Sequence, residues 1–156
     1  MLLAASDKGL VGAWFYGARY FADGLPSECA EGRTPILEEG EKWLDIYFGG
    51  SAPEFTPPLD LQGSEFCREV WEILMRIPYG KTVTYGEIAR MLAEKKGLAK
   101  MSAQAVGGAV GHNKISLIIP CHRVVGADGS LTGYSGGIEK KTALLALERD
   151  TALLKS

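Results

Sequence analysis

The sequence predicts an α+β chain, and three observations carry that prediction. Residues 9–21 (Gly-Leu-Val-Gly-Ala-Trp-Phe-Tyr-Gly-Ala-Arg-Tyr-Phe) are rich in aromatic and apolar side chains interrupted by glycine, which reads as strand material. Five later segments read as helices, several with apolar residues recurring at three- and four-residue steps. Between the first helix and the rest, residues 49–63 hold Pro53, Pro57 and Pro58 among glycine and serine, the best domain boundary in the chain. The expected organisation is therefore an N-terminal α/β domain over residues 1–50, a linker over 51–63, and a C-terminal domain over 64–156.

Each element has its own local reason. Residues 23–32 are turn-like. Thr34 followed by Pro35 is an N-cap with proline at the first helical position, where its missing N–H costs nothing. Ile36, Leu37, Leu44, Tyr47 and Phe48 then share one helical face until Gly49-Gly50 stops it. Beyond the linker, Phe66, Val70, Ile73, Leu74 and Ile77, with Trp71 beside them, form an amphipathic helix ended by Pro78-Tyr79-Gly80. Thr84-Tyr85-Gly86-Glu87 has the capping-box pattern ahead of Ile88, Ala89, Met91 and Leu92, and that helix ends near Gly97. A short helix can start at Ser102 and run through residues 103–110. Two short helices joined by a glycine-bearing turn suggest a helix-turn-helix. A closing helix is expected from Ile138 to about residue 147, packing Leu144, Leu145 and Leu147 and ending near Glu148.

Composition narrows the class. At 156 residues, 46% hydrophobic and 23% charged, the chain can bury a core in one or two small domains. No apolar run approaches membrane-spanning length, and residues 1–5 are too short for a signal peptide before Asp7 intervenes. Cys29, Cys67 and Cys121 are odd in number and far apart, which suits a reducing cytoplasm better than a disulfide scaffold. Two histidines and no Cys-x-x-Cys leave little to build a metal site from, so none is expected. The net charge of −2 conceals an asymmetry. Residues 1–62 carry four basic and ten acidic side chains, whereas residues 76–123 carry eight basic and two acidic ones. A basic half of this kind fits a polyanionic partner, or simply a solvated helical face.

Chemistry concentrates at Ile118-Ile119-Pro120-Cys121-His122-Arg123-Val124-Val125. Pro120 cannot donate to a sheet ladder, so the backbone is expected to leave regular pairing there and present Cys121 at a turn. A free thiol with a pKa of ~8.5 is mostly protonated at neutral pH unless a cationic or basic neighbour assists it. His122 and Arg123 are adjacent, although in an extended segment His122 reaches Cys121 only round a bend or through a water. The plainer reading is a buried structural cysteine. The helix at 103–110 is also unusual. Gly107-Gly108 costs about 1 kcal/mol per glycine relative to alanine, a cost compatible with close helix packing or with nucleic acid against the helix. A slim helix suits a narrow groove, with phosphates near its N-terminal amides.

Taken together, Ile-Pro-Cys-His-Arg-Val preceded by Ala-Val-Gly-Gly-Ala and followed by Tyr-Ser-Gly-Gly resembles the O6-alkylguanine-DNA alkyltransferase family. The likeness covers residues 64–149 and includes Phe-x-x-x-Val-Trp at 66–71, Ile-Pro-x-Gly-Lys-Thr-Val at 77–83, and Tyr85. Residues 1–48 resemble the family's N-terminal domain loosely, chiefly through Trp43-Leu44-Asp45-x-Tyr47-Phe48-x-Gly50, and the usual first strand is short or missing ahead of Leu2. The resemblance implies a ribonuclease-H-like N-terminal domain and a winged-helix-like C-terminal one. It also implies a monomeric, single-use DNA repair protein without a cofactor. Cys121 would take the alkyl group from O6 of a guanine flipped out of double-stranded DNA, at a cost of a few kcal/mol. His122 would activate Cys121 through a water, with Glu148 orienting the imidazole. Tyr85 would give a proton to the departing guanine, and Asn113 would tie the DNA-reading helix to the cysteine segment. Tyr134, Ser135 and Gly136 would line the base pocket. The helix would enter the minor groove, with Ser102, Ala103, Gln104, Ala105, Gly107, Gly108, Thr84 and Arg123 as DNA contacts. Gln104 stands where the family usually has an arginine that fills the vacated base-pair space.

Two other classes compete. An alkyltransferase-like damage-binding protein would share these motifs, but such relatives lack the cysteine, so Cys121 speaks against it. A cysteine hydrolase would need a direct thiol–imidazole pair and an oxyanion-type loop. Adjacent placement of Cys121 and His122 suits the first badly, and no segment suggests the second.

Overall fold

Strand β1 (Leu2–Ala5) and strand β2 (Leu10–Trp14) pair antiparallel, Leu2 opposite Trp14, with a register irregularity at Ala4/Ala5. The computed structural model describes residues 1–131 and 133–155. Strand structure is thus shorter than residues 9–21 suggested. The aromatic run after Trp14 goes into turns instead, with Gly17 and Ala22 both at positive φ. The residues from Leu2 onward do form a strand, because β2 offers them a full edge. The opposite edge of β2 is occupied too. Leu10 bridges Leu59 and Ala13 bridges Ile115. Gly9 is required at the first of these crossings, since a Cβ there would lie 2.7 Å from the backbone of Pro58 and Leu59.

Helix α1 (Pro35–Phe48) starts where the cap chemistry predicts, the Thr34 hydroxyl accepting from Leu37 N–H. It lies on the sheet through Gly40, and its Trp43 and Tyr47 rings stack at 5.4 Å. Helix α2 (Glu65–Leu74), capped by Ser64, stops three residues short of Ile77, and its last turn relaxes into residues 75–77. A two-residue strand β3 (Val83–Thr84) leads into helix α3 (Tyr85–Lys96), which closes on Gly97 in the left-handed conformation. Helix α4 (Ala103–Gly111) follows after a short loop and packs on α2 and α3; Trp71 Nε1 donates to Ala109 O at 2.9 Å. Strand β4 (Val124–Val125) pairs parallel with β3. Helix α5 (Ile138–Lys155) runs well past residue 147. Its continuation is explained by Thr151, a buried residue one turn beyond Glu148 whose hydroxyl donates back to Leu147 O.

The result is a mixed α/β architecture with small sheets and a mainly helical C-terminal half. One apolar cluster includes Leu10, Trp43 and Tyr47 as well as Val70, Leu92, Val106, Ile119 and Leu144. Among the described residues, no helix is long and apolar enough to cross a membrane.

Candidate active site

Cys121 opens a single 3-10 turn, Cys121–Arg123, directly after Pro120, and is only 3% exposed. The turn removes the constraint of an extended segment, so Cys121, His122 and Arg123 need not alternate between opposite faces. The loop feeding it is tight. Leu117 is fully buried with φ 72, a conformation that costs a branched residue roughly 1–2 kcal/mol. Asn113 holds that loop closed. Its Nδ2 donates to Ile119 O at 2.8 Å and Ile115 O at 3.3 Å, while its Oδ1 accepts from Ile115 N–H at 2.9 Å. The same side chain favours the Cys121 thiolate, so Asn113 couples the end of α4 to the cysteine turn.

Glu148 is the centre of a buried polar cluster. It is 1% exposed, yet it accepts from His122 Nε2 at 2.5 Å, Arg123 Nε at 2.7 Å, Tyr47 Oη at 2.7 Å and Gly80 N–H at 3.0 Å. Burial pushes its carboxyl up, but hydrogen bonds from His122 and Arg123 together with the guanidinium charge outweigh this and hold it at about 2. An ionised carboxylate only accepts, so His122 Nε2 carries the proton in that contact. Burial pushes the imidazolium down more than Glu148 raises it, which favours the neutral ring. Nδ1 is then a bare lone pair, buried and without a hydrogen-bond partner among the described residues. This is the tautomer a base needs.

Burial also raises the Cys121 thiol. Asn113, the Lys141 ammonium and the backbone N–H groups of Cys121 and His122 oppose that shift. Lys141 was not anticipated from sequence. It is 1% exposed, donates to Val124 O at 2.6 Å, and lies 6.0 Å above the Tyr85 ring. Burial lowers its ammonium, with the Cys121 charge acting the other way. A signal existed: Lys141, Leu144, Glu148 and Thr151 fall on one stripe of α5, and among the described residues two of its four buried positions are charged. Tyr47 was likewise missed as a site residue, because it lies 101 positions from Glu148.

Tyr85 and Tyr134 complete the surroundings, each raised first by burial and then by the Cys121 charge. Tyr85 stands at the start of α3, close to Gly107 of α4 and, through its hydroxyl, to Gly133. Ser135 and Gly136 follow Tyr134 in a turn beside it. The exposed face of α4 presents Ala103, Gln104, Ala105 and Gly108, with Gly107 half-buried. A Cβ at Gly108 would meet nothing within 4 Å, so packing inside the protein does not require glycine there. Thr84 and Ser102 use their hydroxyls as N-caps of α3 and α4. Arg123, expected as a DNA contact, is the correction. It is buried, with its guanidinium divided between Glu148 and Ile77 O, because an ionised Glu148 in the interior demands a permanent cation. Among the described residues, no three His, Cys, Asp or Glu side chains converge as a metal site.

Comparison with known proteins points the same way. The family model of the 6-O-methylguanine DNA methyltransferase DNA-binding domain matches residues 65–150. A methylated-DNA–protein-cysteine methyltransferase of Mycolicibacterium paratuberculosis is 55% identical over 106 residues, 68% of this chain and 61% of the relative. The aligned stretch therefore spans about three-fifths of that mycobacterial protein. The namesake from Methanosarcina acetivorans is 39% identical over 95% of this chain and 90% of its own. Among solved structures, Mycobacterium tuberculosis OGT in complex with DNA superposes with a TM-score of 0.81 at 39% identity, covering 96% of this chain and 86% of that one.

Proposed function

The chain belongs to the 6-O-methylguanine DNA methyltransferase family, and on that premise we propose that it repairs DNA by moving an alkyl group from O6 of guanine to Cys121. The observation that carries this reading is the bare Nδ1 of His122, fixed in its tautomer by Glu148, on the residue next to a thiol surrounded by Asn113, Lys141, Tyr85 and Tyr134. His122 accepts the Cys121 proton through a water. The thiolate attacks the alkyl carbon, the S–C bond forms as C–O6 breaks, and the electron pair goes to the guanine. Tyr85, whose proton is held firmly by burial and by the nearby thiolate, supplies a proton to that leaving guanine and is later reprotonated from His122. The thioether has no leaving route, so each chain acts once.

Duplex DNA is the proposed partner, with α4 in the minor groove and the lesion flipped into a pocket of Tyr134, Ser135 and Gly136. The open surface at Gly108 supports a close approach by something outside the protein. So does the M. tuberculosis relative, which was solved with DNA. The further attributes of the proposal are a monomer, a cytoplasmic setting, and three parts: a ribonuclease-H-like unit over 1–50, a linker over 51–63 and a winged-helix-like unit over 64–156. Intact-mass analysis after incubation with an O6-methylguanine duplex tests it. One methyl per chain is expected, mapped to Cys121, with Cys121→Ala unmodified but still bound to DNA. Repeated turnover, or a methyl on Cys29 or Cys67, overturns it.

A further inference from the structure

The segment after β2 belongs to the N-terminal half, yet three of its residues, Phe15, Arg19 and Tyr20, reach the 134–136 loop and the end of α4. Its anchor is β2 itself, where Ala13 N–H donates to Lys114 O at 2.8 Å and Ser116 N–H donates to Ala13 O at 2.9 Å. Those bonds fix it to the stretch that Asn113 closes ahead of Cys121. Next, the Phe15 ring meets Tyr134 edge-on at 6.5 Å, and Lys140 sits 5.6 Å above its face. A Cβ at Gly136 would lie 3.1 Å from Phe15 Cδ2 and 2.7 Å from Tyr134 Cε2. The base-pocket loop therefore has no slack toward Phe15. After the turn at Gly17, Arg19 N–H donates to Ser135 O at 3.0 Å. Finally, Tyr20 stacks on His112 at 4.6 Å, and His112 Nδ1 hydrogen-bonds Gly108 O at 2.7 Å in the last turns of α4.

We infer that Phe15, Arg19 and Tyr20 are positioning residues: a buttress by which the N-terminal half sets loop 134–136 against both Cys121 and the DNA-facing helix. This rests on the reading of loop 134–136 as the base pocket. Phe15 acts on the pocket alone through Tyr134 and Gly136. Tyr20 acts on the helix end through His112, so it sets how a docked duplex delivers its base. Misplacing reacting groups by about 1 Å costs on the order of a hundredfold in rate, so a small retreat of this loop has a measurable effect.

The test is single-turnover alkyl transfer by the full chain, separating the maximal rate from the half-saturating concentration. Two substrates are used, a free O6-benzylguanine base and an O6-methylguanine duplex. Phe15→Ala should slow the maximal rate on both by about tenfold while leaving half-saturation by duplex within about twofold, and Phe15→Tyr should restore it. Tyr20→Ala should slow duplex transfer about fivefold more than free-base transfer, with Tyr20→Phe restoring the stack. Tyr20 is only half-buried and Tyr20→Phe keeps its ring, so this pair keeps the test open if Phe15→Ala does not fold. Wild-type rates in both alanine variants, or a loss that the conservative variants do not restore, overturn the inference. Wild-type protein that transfers nothing to Cys121 overturns the proposed function itself, and with it this inference.

Discussion

Glu148 holds together the buried polar cluster beside Cys121 and, in the proposed chemistry, orients His122. Four donors converge on its carboxylate, and one of them is a guanidinium that cannot lose its charge. Replacing it by glutamine leaves Arg123 buried without a counter-charge, which costs about 3 kcal/mol at neutral pH. The pH dependence has a definite sign. The folded carboxyl lies near 2, below its ordinary 4.5. The stabilisation it supplies is therefore complete above pH 4.5 and is lost as the pH falls toward 2. Urea unfolding of wild type and Glu148→Gln should give a constant gap from pH 7 to 5 and a shrinking one below. A gap that widens on acidification would contradict the charge assignment. The same substitution leaves His122 without its carboxylate partner, and alkyl transfer should fall by a hundredfold or so.

At the scale of elements, α4 pairs a packed face with an open one. Its buried face holds Val106, Ala109 and Val110, while the opposite face is small except for Gln104. Because the added Cβ at Gly108 meets nothing, Gly108→Ala should stabilise the fold by about 0.5–1 kcal/mol in thermal unfolding. Gly108→Leu should fold equally well yet weaken duplex binding at least tenfold, since the larger side chain occupies the proposed groove surface. Undiminished binding by the leucine variant would move the DNA off this face. Gln104→Arg probes the neighbouring turn. Arginine adds a cation, a planar face and more donors for the base left behind by flipping. It should tighten duplex binding and speed duplex transfer, steepening the salt slope by at most about one phosphate contact. A free base needs no flipping, so its rate should hardly change. Equal acceleration on both substrates would show that position 104 acts on the pocket instead.

Across the whole molecule, the two halves meet at the chemistry and not merely at a surface. Tyr47 is fully buried on α1 and donates to Glu148, 101 positions away. Its ring also contacts Tyr79 and His122 edge-on, at 6.0 and 6.3 Å. Tyr47→Phe removes one of four donors to a carboxylate, so unfolding should become easier by about 1.5 kcal/mol. Transfer should slow severalfold, as His122 loses a fixed partner. Equilibrium unfolding and single-turnover kinetics on the same preparation check both effects. An unchanged rate beside a full loss of stability would make Tyr47 a packing residue only.

Local signals account for much of what was legible in advance. Thr34, Ser64, Thr84 and Ser102 cap the helices that follow them, as short-range hydrogen bonding dictates. The Pro-Cys-His-Arg motif and its flanking glycines pointed to the family, and to a candidate reactive segment, because the proposed chemistry needs those side chains in immediate succession. Where two segments had to meet, the sequence was silent or misleading. Residues 15–21 have the composition of a strand but turn back, since their partners are the 134–136 loop and His112 and not a sheet edge. Arg123 reads as a surface cation beside a reactive cysteine, but folding places it against Glu148, where ionisation of a buried carboxylate calls for permanent positive charge. Tyr47 and Lys141 look like ordinary helix residues until α1 and α5 close over the Cys121 turn. Sequence by itself determined the helices, their caps and the candidate nucleophile. The protonation states, the buttress and the partners of each charge were decided only by tertiary packing, because they depend on desolvation and on contacts between residues far apart in the chain.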